Sequence, residues 1–272
     1  MSRIGLIAGK GNLPLIWAKA AREKGVEVYA YQLVEVVDQP LEEYVSRAKK
    51  ISVGKLDELI KTISKDKITK VVMIGKVEKS LLYQGINLDN RFKKLLADLE
   101  DLNSDSILLA IVNELINEGI EVAEQFIHLD KLLPKSGTLT SKKIDEKLMQ
   151  DIKYGFKMAR EIARLDIGQT LVVKNKAVLS VEAIEGTDAT IQRGGRITGP
   201  GAVVAKVSKP QQDFRFDLPT VGDTTLNNLI DVKAKALVVE AELTLIIDRE
   251  NFLKKAEENA IDVIALKTAD LD

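Results

Sequence analysis

Residues 3–33 read RIGLIAGKGNLPLIWAKAAREKGVEVYAYQL. Arg3 to Ala8 is a short apolar run of β-formers, and Gly9 and Gly11 follow it. Leu15 to Glu23 carries helix-forming residues, Gly25 stops them, and Val26 to Leu33 is apolar and β-rich again. A strand, a glycine loop, a helix and a second strand in this order open a doubly wound parallel sheet.

The same alternation continues outward. Helices are expected at 55–65, 91–99 and 105–117, with strands at 70–74 and 120–123. Residues 143–164 place Ile144, Leu148, Ile152, Phe156, Ala159 and Ile162 three or four apart, the spacing of one long amphipathic helix. Beyond it the pattern becomes richer in strands. Residues 170–173 and 177–184 flank Lys174-Asn175-Lys176 as a hairpin, and further strands are expected at 202–207, 236–239, 243–247 and 261–265. Helices are expected at 224–230 and 249–258. The fold class is therefore α/β: a Rossmann-like N-terminal domain with a parallel sheet over 1–134, and a second α/β domain of mixed sheet over 135–272.

Composition removes several kinds of chemistry. The 272 residues hold 40 Lys and Arg against 41 Asp and Glu, a balance unsuited to coating nucleic acid. Aromatic residues make up only 4%, too few for base-stacking platforms. With no cysteine, disulfides, thiolate metal sites and cysteine nucleophiles are excluded. His128 is the single histidine and reads as structural, so chemistry needing a histidine base plus histidine ligands is excluded too. No apolar segment nears the roughly 18 residues of a membrane span, and the opening residues lack the pattern of a signal peptide. A soluble, cytoplasmic protein is expected.

Four places could carry chemistry. The loop Ala8-Gly9-Lys10-Gly11-Asn12-Leu13-Pro14 follows a strand and opens a helix, where backbone amides and the helix N-terminus favour a phosphate. Pro14 stands where the dinucleotide fingerprint needs its third glycine, and it suits a first helical turn instead. The second strand-end loop is Gly75-Lys76-Val77-Glu78. Third, Glu182, Glu185 and Asp188 with Thr187 surround a glycine turn, a set suited to a hard divalent cation, and Arg193 and Arg196 flank Gly194-Gly195 in a manner suited to phosphate oxygens. Fourth, alternation in the run 206–222 puts Asp213, Arg215 and Asp217 on one face of an extended segment, with Lys206 upstream. Each also has a plainer reading: a tight turn without ligand, a solvated acidic turn, a salt-bridged edge strand.

Three runs together resemble one family: Asp166-Ile167-Gly168-Gln169, the segment Val181 to Asp188, and Gln212-Asp213-Phe214-Arg215-Phe216-Asp217-Leu218-Pro219-Thr220-Val221-Gly222. The opening loop, Gly119-Ile120-Glu121-Val122 and Leu133 to Gly137 fit it as well. The family is that of the LpxI UDP-2,3-diacylglucosamine pyrophosphatases, and the similarity spans essentially the whole chain. Where its members often have Gly-Asp-Asp or Gly-Asp-Asn before a helix, this chain has Asn103-Ser104-Asp105-Ser106.

The resemblance implies two α/β domains holding the substrate between them. It implies hydrolysis of UDP-2,3-diacylglucosamine to UMP and 2,3-diacylglucosamine 1-phosphate (lipid X) in lipid A synthesis, with Mg²⁺ or another divalent cation. It maps the essential aspartate to Asp217 or Asp213. In this reading Asp217 binds the metal or positions water, and Asp188, Glu185 and Asp213 complete the acidic side. Lys206, Arg193 and Arg215 neutralise phosphate, while Thr187, the loop Gly9, Gly11, Asn12 and Leu13, and the Gly75-Lys76 loop hold the remaining substrate. Expected partners are the lipid substrate, the inner membrane as a peripheral contact, and a second copy in a homodimer, with no nucleic acid. Two rivals share the fold: a hydrolase of another nucleotide-sugar diphosphate, and a non-catalytic nucleotide- or lipid-binding protein. An NAD-dependent oxidoreductase is disfavoured by Pro14 and by the Tyr31-Gln32-Leu33 strand end.

Overall fold

The structure is a computed structural model, and it describes residues 2–38, 40–77, 81, 85–140 and 144–271. Two compact units form, one of Met1–Leu129 with Phe214–Phe216 and the other of Asp130–Asp213 with Asp217–Asp272.

In the first unit, β1 (Arg3–Ala8), β2 (Glu27–Leu33), β3 (Arg47–Ile51), β4 (Lys70–Ile74) and β5 (Glu121–Ala123) form one sheet in the order β3-β2-β1-β4-β5. Every neighbouring pair is parallel. Parallel strands are covered on both faces, which is why β1 and β4 read as nearly unbroken apolar runs. The helices are α1 (Leu13–Glu23), α2 (Leu56–Lys65), α3 (Asn90–Ala97) and α4 (Ser104–Asn117). Pro14 lies in the first turn of α1, where its missing N–H has no helical partner to lose. Asn103 caps α4 by accepting the Ser106 N–H at 2.8 Å, giving the departure at 103–106 a clear structural role. Trp17 is fully buried and its indole N–H donates to the Ile127 carbonyl at 2.7 Å. His128 stacks on Trp17 at 5.6 Å, a structural placement.

In the second unit, β6 (Gly137–Thr138), β7 (Thr170–Lys174), β8 (Ala177–Val181), β9 (Val203–Lys206), β11 (Ala236–Glu240) and β13 (Asp262–Leu266) form a mixed sheet in the order β6-β13-β11-β9-β7-β8. The central strands β9, β11 and β13 are parallel, while β7 runs antiparallel to both β9 and β8. The short strands β10 (Thr220–Val221) and β12 (Leu245–Ile246) pair separately. Around them run α5 (Glu146–Arg164), α6 (Thr187–Thr198), α7 (Asp223–Asp231) and α8 (Arg249–Glu258). Asp145 caps α5, so that helix starts later than its apolar spacing suggested; Lys143 lies outside the described residues. Ile152, Phe156, Ala159 and Ala163 of α5 are buried against the sheet.

Two local expectations are overturned. The hairpin strand stops at Val181 instead of Ile184, and the following segment from Thr187 is the helix α6. Gly194 and Gly195 lie inside that helix as packing positions. A methyl on Gly194 would meet the Ser180 Oγ at 2.5 Å, and one on Gly195 would meet Val232 Cβ at 2.4 Å. The segment 213–217 is a turn and not an extended strand: the Asp217 N–H donates to the Asp213 carbonyl at 3.0 Å. Asp213, Arg215 and Asp217 therefore do not share the face that alternation gave them.

Among the described residues, no helix is long and apolar enough to cross a membrane.

Candidate active site

In the first unit the sheet order reverses between β1 and β4, the place where open α/β sheets take ligands. The loops after these strands are Gly9-Lys10-Gly11 and Gly75-Lys76, and they clasp each other. Gly9 donates to Ile74 at 2.8 Å, Lys10 to Lys76 at 2.9 Å, and Lys76 back to Lys10 at 3.0 Å. A methyl on Gly9 would lie 2.7 Å from the Lys76 carbonyl oxygen. Gly75 has φ of 99°, where a side chain is strained, and a methyl there would meet Gly9 backbone at 2.7 Å. The Gly11 N–H holds Asp38 at 3.0 Å. The amides of Gly9, Lys10 and Gly11 thus have partners within the protein. Glu78 lies outside the described residues.

In the second unit a polar network stands on the edge where β9 ends and β7 begins. Lys206, the last residue of β9, pairs in register with Thr170. Its amine donates to Thr187 Oγ1 at 2.9 Å, and Thr187 donates to Glu182 Oε1 at 2.9 Å. Thr170 Oγ1 lies 3.3 Å from the Thr187 hydroxyl, and the other Glu182 oxygen accepts the Gln169 N–H at 3.3 Å. Gly168 allows this approach, since a methyl there would sit 2.1 Å from the Glu182 carbonyl oxygen. An ammonium, a hydroxyl and a carboxylate therefore line up at the first residue of α6, where the helix dipole adds positive potential.

The acidic residues expected beside that network are drawn elsewhere. Glu185 accepts from Arg193 at 2.5 Å, and Arg193 also donates to the Val181 carbonyl at 2.8 Å. The Glu185 backbone amide and the Arg193 guanidinium hold the Glu185 carboxyl below its ordinary value. Asp188 accepts from Asn228 at 2.8 Å, and Asn228 accepts from Gln192 at 2.8 Å. Among the described residues, no three carboxylate or imidazole side chains are grouped to hold a metal ion, so Asp217, Asp188 and Glu185 are not assembled as one cage.

Asp217 is positioned by its own turn. The Gln212 Nε2 donates to the Asp217 carboxylate and, at 2.8 Å, to the Asp217 carbonyl. The Gln212 Oε1 accepts the Lys209 N–H at 2.9 Å. Upstream, the buried Glu240 at the end of β11 accepts both the N–H of Ser208 at 2.8 Å and its hydroxyl at 2.5 Å, and it pairs with Arg160 of α5. Lys209 pairs with Asp166 at 2.7 Å. Arg215 lies between two anchored aromatics: the Phe214 ring meets Phe126 at 5.7 Å, the Phe214 carbonyl accepts from Gln125 at 2.7 Å, and Phe216 packs on the first unit's core.

Sequence reasoning put Glu182 in an acidic cluster without giving it the hydroxyl partner it has, and it left out Gln212, Glu240 and Arg160. Glu240 had a readable signal, a charge closing the apolar strand Ala236–Glu240.

The LpxI N-terminal domain matches residues 3–132 and the LpxI C-terminal domain matches residues 135–264. The chain belongs to the LpxI family. It is 30% identical over 277 aligned positions, 98% of each chain, to the UDP-2,3-diacylglucosamine pyrophosphatase LpxI of Caulobacter vibrioides. Among solved structures, RibD of Acinetobacter baumannii matches 45% of this chain and 37% of its own at 13% identity and a TM-score of 0.30. The Mycobacterium tuberculosis protein described as glycinamide-RNase-transformylase T matches 67% of this chain and 44% of its own, at 16% identity and a TM-score of 0.26. This LpxI family membership, and not those distant likenesses, bears on function.

Proposed function

We propose that this LpxI family chain hydrolyses the pyrophosphate of UDP-2,3-diacylglucosamine, giving UMP and 2,3-diacylglucosamine 1-phosphate. The observation that carries the reading is the end-to-end match to the Caulobacter pyrophosphatase together with both LpxI domain families.

The chemistry requires positive potential on the phosphates and a carboxylate near the attacking water. Lys206 and the start of α6 at Thr187 supply the first within residues 135–272. The Thr187 hydroxyl links the Lys206 ammonium to Glu182, which fixes the amine in place. Asp217 accepts the hydrogen bond that orients the water, with Asp213 one turn before it. Water oxygen bonds to the phosphorus nearer the sugar, the bond from that phosphorus to the bridging oxygen breaks, and UMP leaves with that oxygen. Arg215 and Arg193 add positive charge at the margins. Asn12, Leu13, Lys76 and the loop framed by Gly9, Gly11 and Gly75 hold the uridine or sugar portion.

Mg²⁺ completes the reading as a cation held by one or two carboxylates and the substrate's own phosphate oxygens, the usual mode for this ion. In this reading Asp217 and Asp213 would be the carboxylate donors, while Asp188 accepts from Asn228 and Glu185 from Arg193. When bound, such a cation neutralises phosphate charge and lowers the pKa of bound water. A peripheral contact with the inner membrane follows from a diacylated substrate, and cytoplasmic residence and a homodimer belong to the same reading.

The test is UMP release from UDP-2,3-diacylglucosamine by the purified chain, with Mg²⁺ and with EDTA. Release with Mg²⁺ alone is expected. No release by folded protein overturns the reading in favour of another nucleotide-sugar diphosphate or a binding role, and release in EDTA overturns the metal requirement.

A further inference from the structure

Gln212 does none of the chemistry above, yet both ends of its side chain are committed. Its carbonyl oxygen accepts the Lys209 N–H at 2.9 Å, so its nitrogen must face Asp217. That nitrogen reaches the Asp217 carboxylate and, at 2.8 Å, the Asp217 carbonyl. The turn does not need this bond to form. Its backbone is already closed by Gln212 N–H to Lys209 at 3.1 Å and by Asp217 N–H to Asp213 at 3.0 Å. The arm leading into it is tied down by Ser208 on Glu240 and Lys209 on Asp166. Beyond its bonds to the Lys209 N–H and the Asp217 carbonyl, the Gln212 side chain fixes the direction of one carboxylate.

We infer that Gln212 is a positioning residue for hydrolysis, an amide clamp that turns the Asp217 carboxylate toward the reacting water. The inference rests on the proposed role of Asp217. A neutral donor suits the task, because an amide orients an oxygen without cancelling its charge as a guanidinium would. A carboxylate free to swing would lose the alignment that makes an attack effectively unimolecular.

Gln212→Glu keeps an oxygen for the Lys209 N–H but sets a second carboxylate against Asp217, so it is read against a neutral variant. Gln212→Met keeps the size and removes both bonds. Each is assayed for kcat and KM on UDP-2,3-diacylglucosamine, beside Asp217→Asn and the Gln212→Met/Asp217→Asn double variant, with melting curves for all. Outer-shell partners of this kind are worth about tenfold to a hundredfold in activity. The expected result is a loss of that size in kcat for Gln212→Met with KM within about twofold of wild type, and a loss at least as large for Gln212→Glu. The double variant should lose no more than Asp217→Asn alone, a non-additivity that a structural role would not produce. Wild-type kcat in both Gln212 variants, or additive losses in the double variant, overturns the clamp while Asp217→Asn remains inactive. An active Asp217→Asn variant overturns the parent reading instead, so the two failures are distinct.

Discussion

The strand-end edges of the two units are built in opposite ways. In the first unit the loops after β1 and β4 satisfy each other: Gly9, Lys10 and Lys76 exchange backbone hydrogen bonds, and Gly11 holds Asp38. In the second unit the edge is made of side chains, with Lys206, Thr187 and Glu182 in a row and Asp217 set by Gln212. Glycines in the first edge bring backbones together, and glycines in the second, at 168 and 194, let the network and its helix pack. A glycine loop at a strand end is therefore weak evidence for a phosphate cradle when a neighbouring loop takes its amides. A short chain of ammonium, hydroxyl and carboxylate at a helix start, half-buried as this one is, offers side-chain groups that the loop clasp of the first unit does not.

The comparison is sharpest if the two edges respond differently to substitution. Lys206→Met keeps the aliphatic stem and removes the amine. Hydrolysis should fall about a hundredfold in kcat/KM, while thermal melting stays near wild type. Lys76→Met in the first unit should instead act through KM, by about tenfold or less, because it serves binding. Equal effects on kcat from both lysines would break the distinction.

Gly75→Ala should act on stability. It forces a side chain to φ of 99° and against Gly9, so a loss of about 2 kcal/mol is expected in denaturant unfolding, with kcat retained in the folded fraction. Unchanged stability would mean that the clasp of the two loops is not what holds that edge.

The smallest effect belongs to the Glu185–Arg193 pair, which is exposed. Arg193→Ala should lower Tm by about 2 °C or less at neutral pH. The folded-state pKa of Glu185 lies below its unfolded value, so the pair stabilises above the ordinary carboxylate pKa and loses that contribution as pH falls through the folded value. The wild-type advantage over Arg193→Ala should accordingly shrink in acid. A gap that widens there would reverse the assignment.

Much of this architecture was legible in the sequence. The strand at 70–74 and the helix at 249–258 match their expected limits, because an apolar run and an amphipathic stretch each have one good solution. The edge strand β3, Arg47–Ile51, was missed: it is charged and pairs on one side, so it lacks the apolar run of a central strand. The helix α6 was missed because Gly194 and Gly195 argue against a helix locally, while close approach to Ser180, Val172 and Val232 requires them. The run 213–217 alternates charged and aromatic residues like a strand, yet Phe214 and Phe216 are held by the first unit and the backbone turns. Lys206 was already singled out in the sequence, inside a strand expected at 202–207; the structure makes it the last residue of β9. Gln212 acts across five positions inside a turn, where no periodicity marks it.

In the proposed reaction the Asp217 carboxylate orients the attacking water. Asp217→Ala, measured for turnover and for equilibrium binding of UDP-2,3-diacylglucosamine on the same folded preparation, tests it most directly. A kcat lower by on the order of 10³-fold with Kd within a few-fold of wild type is the expected result. Turnover within tenfold of wild type would contradict it and move the reaction to another carboxylate.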